Sequence, residues 1–286
     1  MYSLYSQIIE SGILLTVLKI TPSFTQAYQR LNDEQKLAVD TTDGPVMVIA
    51  GPGTGKTQIL ATRIANILLK TDTNPSSILA LTFTESGASA MKKRLISLIG
   101  QAAYSVRIQT FHGFCGDVIS LHPEFFRLDI QSEPLSDLDR YQLFEEILKS
   151  NNFESIKPVN SPFFYLRSLV KNIQDLKREG ITPERFEQIL KQEGQLIETD
   201  SESWKKVEKE KRTKSYKKNL ELLIVYQQYQ QQLVEKHRYD FEDMIAFTVE
   251  AFQQNELLLL EFQEKFQYFL IDEYQDTNSA QNQVIT

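Results

Sequence analysis

Residues 50–57 carry the residue types that bind phosphate. They read A-G-P-G-T-G-K-T and fit the pattern G-x-x-x-x-G-K-[ST], with the small residue Ala50 in place of the first glycine. Glycines allow the backbone N–H groups to surround an anion. The Lys of the pattern contacts the phosphates, and the Thr hydroxyl binds Mg²⁺. A glycine-rich turn formed by chance is the alternative. We predict that a nucleotide is bound by Gly51, Pro52, Gly53, Thr54, Gly55, Lys56 and Thr57.

Two carboxylates, Asp272 and Glu273, follow the apolar run 268–271. In a fold with a phosphate-binding loop, a carboxylate at the end of a buried strand binds Mg²⁺. The carboxylate of the next residue orients and deprotonates the attacking water. We therefore predict Thr57 and Asp272 as Mg²⁺ ligands, with Glu273 and Lys56 as the catalytic residues. A solvated acidic strand end is the alternative, and taken alone it accounts for the two carboxylates equally well.

The apolar spacing predicts the elements that hold these residues. Short apolar runs bounded by turn residues predict strands, and apolar residues at i, i+4, i+7 and i+8 predict helices. Strands that alternate with helices imply a parallel sheet with its ligand site at the carboxyl ends of the strands. Strands are predicted at 46–50, 78–83, 106–109 and 268–271, and helices over 60–68 and 88–99.

About 150 residues between the third and fourth predicted strands have almost only helical patterns. Ser161-Pro162 and Thr182-Pro183 predict helix starts, and Gly180 and Gly194 predict helix ends. One long helix is predicted from 204 to about 238, and its first half, 204–218, holds eight Lys and Arg against two Glu. That half is either a solvated face or a contact with duplex DNA phosphates.

Composition excludes several classes of protein. The net charge of −7 argues against nucleic-acid binding by bulk charge alone, and the single cysteine, Cys115, excludes a disulfide framework and a thiolate-rich zinc site. No run of roughly 18 apolar residues is present, and the N-terminus lacks the basic start of a signal peptide. We expect a soluble cytoplasmic protein.

Five motifs in order give the sequence a family resemblance. They are 31–35 (LNDEQ), the loop at 50–57, 81–84 (LTFT), 109–112 (QTFH) and 271–278 (IDEYQDTN). Together they resemble UvrD/Rep-type superfamily 1 DNA helicases, as does the segment 239–243 (YDFED). Gln58 departs from the pattern, because that family often carries an arginine there that packs on adenine.

The resemblance assigns roles to further residues. It implies that Gln35 and Gln58 contribute to ATP binding, with Gln35 bonded to adenine. It also implies that single-stranded DNA is contacted by Phe83, Thr84, Thr110, Phe111 and His112. Aromatic rings stack on bases without reading sequence, and hydroxyls contact phosphate. Without the family resemblance, each of three residues has another interpretation. Phe83 is as easily explained as a core residue, His112 as a surface or capping histidine, and Gln35 as an ordinary helix residue.

The resemblance also implies an architecture. It predicts an α/β fold with a RecA-like, P-loop parallel sheet flanked by helices and an inserted all-helical subdomain. The motor lobe is expected over 24–115 and 236–286, the helical insertion over 116–235, and an N-terminal extension over 1–23.

The function implied is ATP hydrolysis, with ATP and Mg²⁺, coupled to 3′–5′ translocation on single-stranded DNA and action at single/double-strand junctions. Later helicase motifs do not occur in the sequence, so we expect the N-terminal portion of a helicase that needs a second motor lobe and is nearly inactive alone. Two alternatives stay open: the motor of a helicase–nuclease complex, and a truncated product that binds nucleotide or DNA without turnover.

Overall fold

The computed structural model describes residues 21–51, 53–126, 132–199, 204 and 206–286. In that part of the chain, twelve α-helices and five short strands form an α/β structure. The strands are β1 (Ile78–Thr82), β2 (Arg107–Thr110), β3 (Glu133–Pro134), β4 (Arg238–Tyr239) and β5 (Tyr268–Ile271). The helices are α1 (Pro22–Gln29), α2 (Asp33–Asp40), α3 (Lys56–Lys70), α4 (Glu85–Ile99), α5 (Phe111–Leu121), α6 (Asp137–Ser150), α7 (Leu166–Arg178), α8 (Pro183–Thr199), α9 (Lys206–Glu235), α10 (Phe241–Gln254), α11 (Glu256–Lys265) and α12 (Ser279–Ile285).

The chain divides into two compact units. The first comprises Met1–Thr110 and Leu260–Tyr274, and the second comprises Phe111–Leu259 and Gln275–Thr286. The domain boundaries given above from the sequence stay a prediction.

The first unit is built on a parallel sheet of order β2-β1-β5. Leu81 of β1 lies opposite Gln109 of β2 and Ile271 of β5, so the three strands end at the same edge. All five residues of β1 are buried, as expected for the central strand of a sheet covered on both faces. The three later strands predicted from the sequence, and their parallel arrangement, are confirmed.

Helices α3 and α4 supply most of the core of the first unit. The buried residues of α4 are the five that the spacing predicts: Ala88, Met91, Leu95, Leu98 and Ile99. The last four of them pack in one cluster with buried α3 residues and with Ile78, Ala80 and Leu270 of the sheet. The helix–sheet packing therefore fixes the ends of β1 and β5 relative to the start of α3.

The strand predicted at 46–50 is wrong. These residues have no regular secondary structure and pair with none of the described strands. Met47 is 79% and Ile49 92% exposed, so the run is not buried either. The physical reason is that β propensity reflects fit to a paired, half-buried surface, and an apolar run without a pairing partner has no hydrogen-bond ladder to join.

Polar contacts from α3 anchor helix α2. Arg63 is buried and donates to the carbonyls of Ala38 and Thr41 at the C-terminal end of α2. Asn66 donates to the Val39 carbonyl at 2.9 Å, and Lys70 pairs with Asp40 at 2.9 Å. The bonds from Arg63 and Asn66 satisfy carbonyls at the end of α2, where no following helical turn supplies N–H donors. They hold α2, and with it Gln35, against α3.

The second unit is mainly helical and has its own core. Residues of α6, α7, α8 and α9 form one buried cluster, in which Phe144 and Tyr229 have ring centroids 4.7 Å apart. Two of the predicted helix signals within it are wrong. Helix α7 begins at Leu166 and not after Ser161, and Gly194 lies inside α8. A Cβ at Gly194 would lie 2.5 Å from the Tyr216 hydroxyl, so this glycine permits close packing of α9.

A buried ion cluster joins α7 to the start of α10. The Lys177 ammonium lies 2.5 Å from Asp240 Oδ2 and 2.7 Å from Asp243 Oδ1, and all three side chains are almost fully buried. The Tyr229 hydroxyl donates to Asp240 at 3.1 Å. Burial raises the pKa of Asp243 to about 6, opposed by the Lys177 charge and assisted by the Asp240 charge. One cation therefore compensates two buried carboxylates.

Candidate functional site

The phosphate-loop sequence forms a turn that ends in a helix. Gly53 and Gly55 have φ values of +75° and +83°, a region that favours glycine because it lacks a Cβ. Gly55 is the N-cap of α3, and Lys56 is the first residue of that helix. The Thr54 hydroxyl donates to the Gly51 carbonyl at 2.8 Å and closes the turn. Pro52 lies outside the described residues. The loop therefore presents a helix N-terminus, which attracts anions.

The two predicted carboxylates lie beside this loop. The Asp272 N–H donates to the Leu81 carbonyl at 2.9 Å, which extends the β5–β1 pairing by one residue. The Thr57 hydroxyl donates to Asp272 Oδ2 at 3.3 Å, and Lys56 Nζ lies 3.2 Å from Glu273 Oε2. All four side chains belong to the first unit. Residues separated by more than 200 positions in the sequence thus converge at one edge of the sheet.

The electrostatics of this edge favour a cation. Burial raises the pKa of Asp272, and repulsion from Glu273 raises it further, while the bond from Thr57 opposes the shift. Glu273 has a φ of +52°, a left-handed conformation that is unusual for a residue with a Cβ. The Asp272 and Glu273 carboxylates therefore lie close enough to repel each other, and a divalent cation would relieve that repulsion.

Gln35 lies next to the phosphate loop. It is the N3 residue of a capping box in α2: its N–H donates to Asn32 Oδ1 at 2.8 Å, and its Oε1 accepts from the Asn32 N–H at 3.1 Å. Its Nε2 donates to the Thr54 carbonyl at 3.4 Å. The capping box therefore fixes the side chain that the sequence motif singles out, and aims its amide at the loop.

A cleft of about 620 Å³ opens beside Gln35. Arg30 and Arg94 line it, and the described lining residues include no acidic side chain, so the charge of the cleft suits an anionic ligand. Sequence patterns did not indicate these two arginines, because they lie at separate points of the chain and converge only through the packing of α1 against α4. The lining residues are Ser23, Gln26, Ala27, Arg30, Leu31, Gln35, Thr54, Gly55, Gln58, Ile59, Arg94, Ser97 and Leu98.

Three of the residues predicted to contact DNA lie at the carboxyl ends of β1 and β2. Thr84 is exposed and caps α4 by accepting from the Gly87 N–H at 3.0 Å. Phe83 is half-buried. Thr110 is buried, and its hydroxyl donates to Glu85 Oε1 at 3.0 Å. The shared edge brings the three together in the first unit, with Thr84 the most accessible of them.

Phe111 and His112 begin α5 in the second unit. The Phe111 side chain is 1% exposed and contributes to packing. The His112 ring stacks on Phe241, with centroids 3.9 Å apart and an angle of 23° between the planes. Burial, assisted by the Arg178 charge, lowers the pKa of His112 to about 4. His112 is therefore neutral at physiological pH.

The described residues contain no group of three or more His, Cys, Asp and Glu side chains arranged to hold a metal ion. Mg²⁺ is commonly bound by only one or two carboxylates, with substrate phosphates and water as its other ligands, so such a group is not needed for the Mg²⁺ site predicted at Thr57 and Asp272. In the same ranges, no helix combines the length and the apolar character needed to cross a bilayer.

Comparison with known proteins places these features in a family. The UvrD/REP helicase N-terminal domain matches residues 31–286. The ATP-dependent DNA helicase PcrA of Staphylococcus epidermidis is 33% identical over 254 residues, which cover 88% of this chain and 31% of that protein. PcrA of Staphylococcus aureus is 32% identical over 251 residues, covering 88% of this chain and 30% of the relative. The chain thus spans about a third of the length of these relatives.

Proposed function

We propose that this chain, which belongs to the UvrD/REP helicase N-terminal domain family, is the ATP-binding part of an ATP-driven DNA helicase. The observation that carries the proposal is the convergence of Lys56 and Thr57 with Glu273 and Asp272 at one sheet edge. A phosphate cradle with two carboxylates beside it is the arrangement that nucleotide hydrolysis requires.

The architecture we propose is that of a RecA-like motor lobe with a helical insertion. The parallel sheet β2-β1-β5, flanked by α3 and α4, would form the lobe within 24–115 and 236–286. The separate helical core of α6 to α9 lies within 116–235 and supports an inserted subdomain. The site residues belong to the ends of strands, where ligands of α/β sheets collect.

Each side chain has a distinct part in the proposed hydrolysis of ATP. The loop amides and Lys56 hold the phosphates, and Thr57 with Asp272 would hold Mg²⁺, which neutralises charge on the phosphate oxygens when bound. Glu273 orients the attacking water and accepts its proton as the water oxygen bonds to the terminal phosphorus, while the bond from that phosphorus to the bridging oxygen breaks and ADP leaves. Lys56 leaves Glu273 to meet the phosphates, which frees that carboxylate to act as the base.

We propose that adenine and ribose occupy the cleft beside Gln35. The Gln35 amide can exchange its bond to Thr54 for a pair of bonds to a base, since an amide presents both a donor and an acceptor. Gln58 lines the same cleft, and Arg30 and Arg94 add positive charge. These features support a nucleotide, and not free phosphate, as the ligand.

We propose single-stranded DNA as the second ligand. Phe83, Thr84 and Thr110 in the first unit, and His112 in the second, would contact it, with stacking on aromatic rings and hydroxyl contacts to phosphate. The Phe111 side chain is 1% exposed, so it would support this site by packing and would not stack on a base. Translocation 3′ to 5′, action at single/double-strand junctions and a second motor lobe as partner follow from family resemblance. ATP-dependent change in the separation of two lobes would drive the stepping.

Two titrations of the 286-residue chain test the proposal. Fluorescent ATP with Mg²⁺ should bind the wild type about tenfold or more tightly than Lys56→Ala, while Lys93→Ala, which replaces an exposed lysine on α4, should bind as the wild type does. A labelled oligo(dT) strand should bind and should stimulate whatever hydrolysis the chain shows. Equal nucleotide binding by Lys56→Ala and wild type would contradict the site, and failure of the wild type to bind oligo(dT) would contradict the DNA-directed function.

A further inference from the structure

Helix α2 carries Gln35, and its apolar contacts do not fix its orientation. The helix has eight residues, and isolated helices of fewer than about 12 residues are marginal in water. Its buried residues Ala38 and Val39 pack with Leu31 and Ile59 in a small apolar cluster. Apolar attraction is not directional, so this cluster holds α2 close to α3 and leaves its rotation to other contacts. The direction of the Gln35 side chain therefore depends on directional bonds.

A polar stripe on α3 supplies such bonds. It consists of three side chains at positions i, i+3 and i+7, which lie on one face of a helix: Arg63, Asn66 and Lys70. Their acceptors all lie at the C-terminal end of α2: the carbonyls of Ala38, Val39 and Thr41 and the carboxylate of Asp40. Three donors from one helix thus meet four consecutive residues of another, which leaves α2 little freedom to rotate.

Arg63 and Asn66 are the strongest members of the polar stripe. Their exposed fractions are 9% and 2%, so water hardly competes for their bonds. The Arg63 guanidinium meets carbonyls at the end of a helix, where the partial negative charge of the helix gathers, and charge-assisted hydrogen bonds are about twice as strong as neutral ones. Lys70 is 52% exposed, and solvent weakens its pair with Asp40. Arg63 and Asn66 therefore do most to fix α2.

Gln35 lies in the first turn of the helix that the polar stripe holds. Its Nε2 donates to the Thr54 carbonyl at 3.4 Å, a long bond that the proposed nucleotide site exchanges for bonds to adenine. The bonds of the stripe persist through that exchange, because their acceptor residues, 38–41, are not among the described residues that line the cleft. Hydrogen bonds weaken steeply as their angle closes, so a small rotation of α2 would cost the bonds between Gln35 and a base.

We propose that the polar stripe is a positioning element for adenine recognition: Arg63 and Asn66 fix α2 and thereby hold the Gln35 amide in the orientation that distinguishes adenine from other bases. The inference rests on the proposed ATP site and adds residues that lie outside every motif named above. Phosphate binding belongs to Lys56 and the loop amides, which do not depend on α2. The stripe should therefore determine the affinity for the base and leave the affinity for the phosphates unchanged.

Isothermal titration calorimetry of the 286-residue chain with Mg²⁺ separates these two affinities. Tripolyphosphate has the phosphates of ATP without a base, GTP has a different base, and the wild type should prefer ATP to both. Arg63→Met keeps a long side chain without donors, so it should bind ATP about tenfold more weakly, the loss expected when bonds to the base no longer form. It should bind tripolyphosphate as the wild type does, and its preference for ATP over GTP should vanish. Arg63→Lys, which keeps a cation with several donors, should recover most of the ATP affinity.

Lys92 on α4 offers a matched control for loss of stability. Its ammonium also donates to two backbone carbonyls of the first unit, those of Tyr104 at 3.1 Å and Val106 at 2.7 Å, and neither belongs to α2. Lys92→Met should therefore lower the melting temperature while it keeps the wild-type ratio of ATP affinity to tripolyphosphate affinity. If Arg63→Met does not fold, Asn66→Leu, which has a similar shape and no donor, takes its place, with an expected two- to tenfold loss of ATP affinity.

A double-mutant cycle tests whether the polar stripe acts through Gln35. Gln35→Ala should lower the ATP affinity about tenfold by itself, and Arg63→Met added to it should lower that affinity no further, because residues that act through one another are not additive. Effects that multiply would mean that Arg63 acts by another route, and would overturn the inference.

The outcomes keep the inference apart from the proposed function. A wild type that binds neither ATP nor tripolyphosphate, or binds both equally, overturns the proposed nucleotide site and the inference with it. A wild type that prefers ATP, while Arg63→Met and Asn66→Leu keep the full preference, overturns the positioning role and leaves the proposed site intact. Loss of the preference in Lys92→Met as well would make the effect a general loosening of the first unit, and would also overturn the positioning role.

Discussion

Lys56 Nζ lies 3.2 Å from Glu273 Oε2, so the lysine of the phosphate loop and the proposed catalytic carboxylate form an ion pair. Both side chains are partly exposed, at 27% and 39%. The attraction of such a pair is modest because solvent screens it. If the loop binds ATP as proposed, the phosphates should compete with Glu273 for the same ammonium, and binding of nucleotide should free the carboxylate.

Two substitutions separate these roles. Lys56→Ala should weaken Mg²⁺–ATP binding about tenfold or more, since a charge-assisted hydrogen bond is worth about 1.5–3 kcal/mol. Glu273→Gln removes the competitor for Lys56, so it should bind ATP as well as or better than the wild type while hydrolysis falls by roughly 10²–10⁴. Fluorescent-nucleotide titration and a coupled ATPase assay measure the two effects. Weaker ATP binding by Glu273→Gln would contradict the competition.

Asp272→Asn should stabilise the chain in a pH-dependent way. Burial and Glu273 raise the pKa of Asp272, so the folded chain disfavours its charge and stability is lost as the pH rises through the raised pKa. At pH 7 the Asn variant should melt at a higher temperature than the wild type, and below about pH 4 the difference should vanish because both side chains are neutral. Thermal melts from pH 3 to 8 without Mg²⁺ measure this. A variant that is less stable at pH 7 would contradict the sign.

Gln58→Arg should raise the affinity for ATP. Gln58 lines the cleft beside Gln35, and a guanidinium there could stack on adenine, with a gain of about 0.5–1 kcal/mol, or roughly two- to fivefold. Gln58→Lys adds the same charge without the planar group. A gain of equal size in the Lys variant, measured by nucleotide titration, would assign the effect to charge alone.

Lys177→Met should destabilise the second unit strongly. Its ammonium is the partner of two buried carboxylates, and removal of one partner from a buried ion cluster costs about 3–5 kcal/mol. Burial raises the pKa of Asp243 to about 6 even though the Lys177 charge lowers it, so loss of Lys177 should raise that pKa further. The deficit should therefore shrink as the pH falls towards 6 and the Asp243 carboxylate of the variant takes up a proton. Urea unfolding measures the free energy of unfolding, with Lys171→Met, an exposed lysine of the same helix, as the control.

Phe83→Ala distinguishes a stacking residue from a core residue. The ring is half-buried at the end of β1, and if it stacks on a base, its loss should weaken oligo(dT) binding by about 1–3 kcal/mol. The melting temperature is the companion measurement. A sharp fall in melting temperature with unchanged DNA affinity would place Phe83 in the core and remove it from the DNA site.

Local patterns predicted the elements that depend on local physics. Short apolar runs located β1, β2 and β5, and the apolar spacing located the buried face of α4, because both signals are visible within a few residues. The glycines of the phosphate loop indicated a turn before a helix, and Gly53 and Gly55 do have positive φ values. Thr182-Pro183 likewise predicted the start of α8, which begins at Pro183.

Two predictions were wrong because they depended on a partner elsewhere in the chain. The apolar run 46–50 has strand propensity, but a strand also needs a neighbour, and the described strands do not pair with it. Gly194 predicts a helix end by residue type alone, whereas the nearby Tyr216 on another helix explains why a glycine lies inside α8. In both cases the deciding contact is remote in sequence.

The motifs, their order and most of the elements that carry them are readable from the amino-acid sequence. The contacts between their side chains became apparent in the folded chain: Lys56 with Glu273, Thr57 with Asp272, Lys177 with Asp240 and Asp243, and His112 with Phe241. The reason is that propensity and periodicity are encoded over a few residues. Ion pairs, ring stacks and pKa shifts depend on distances of a few ångströms between residues that only packing brings together.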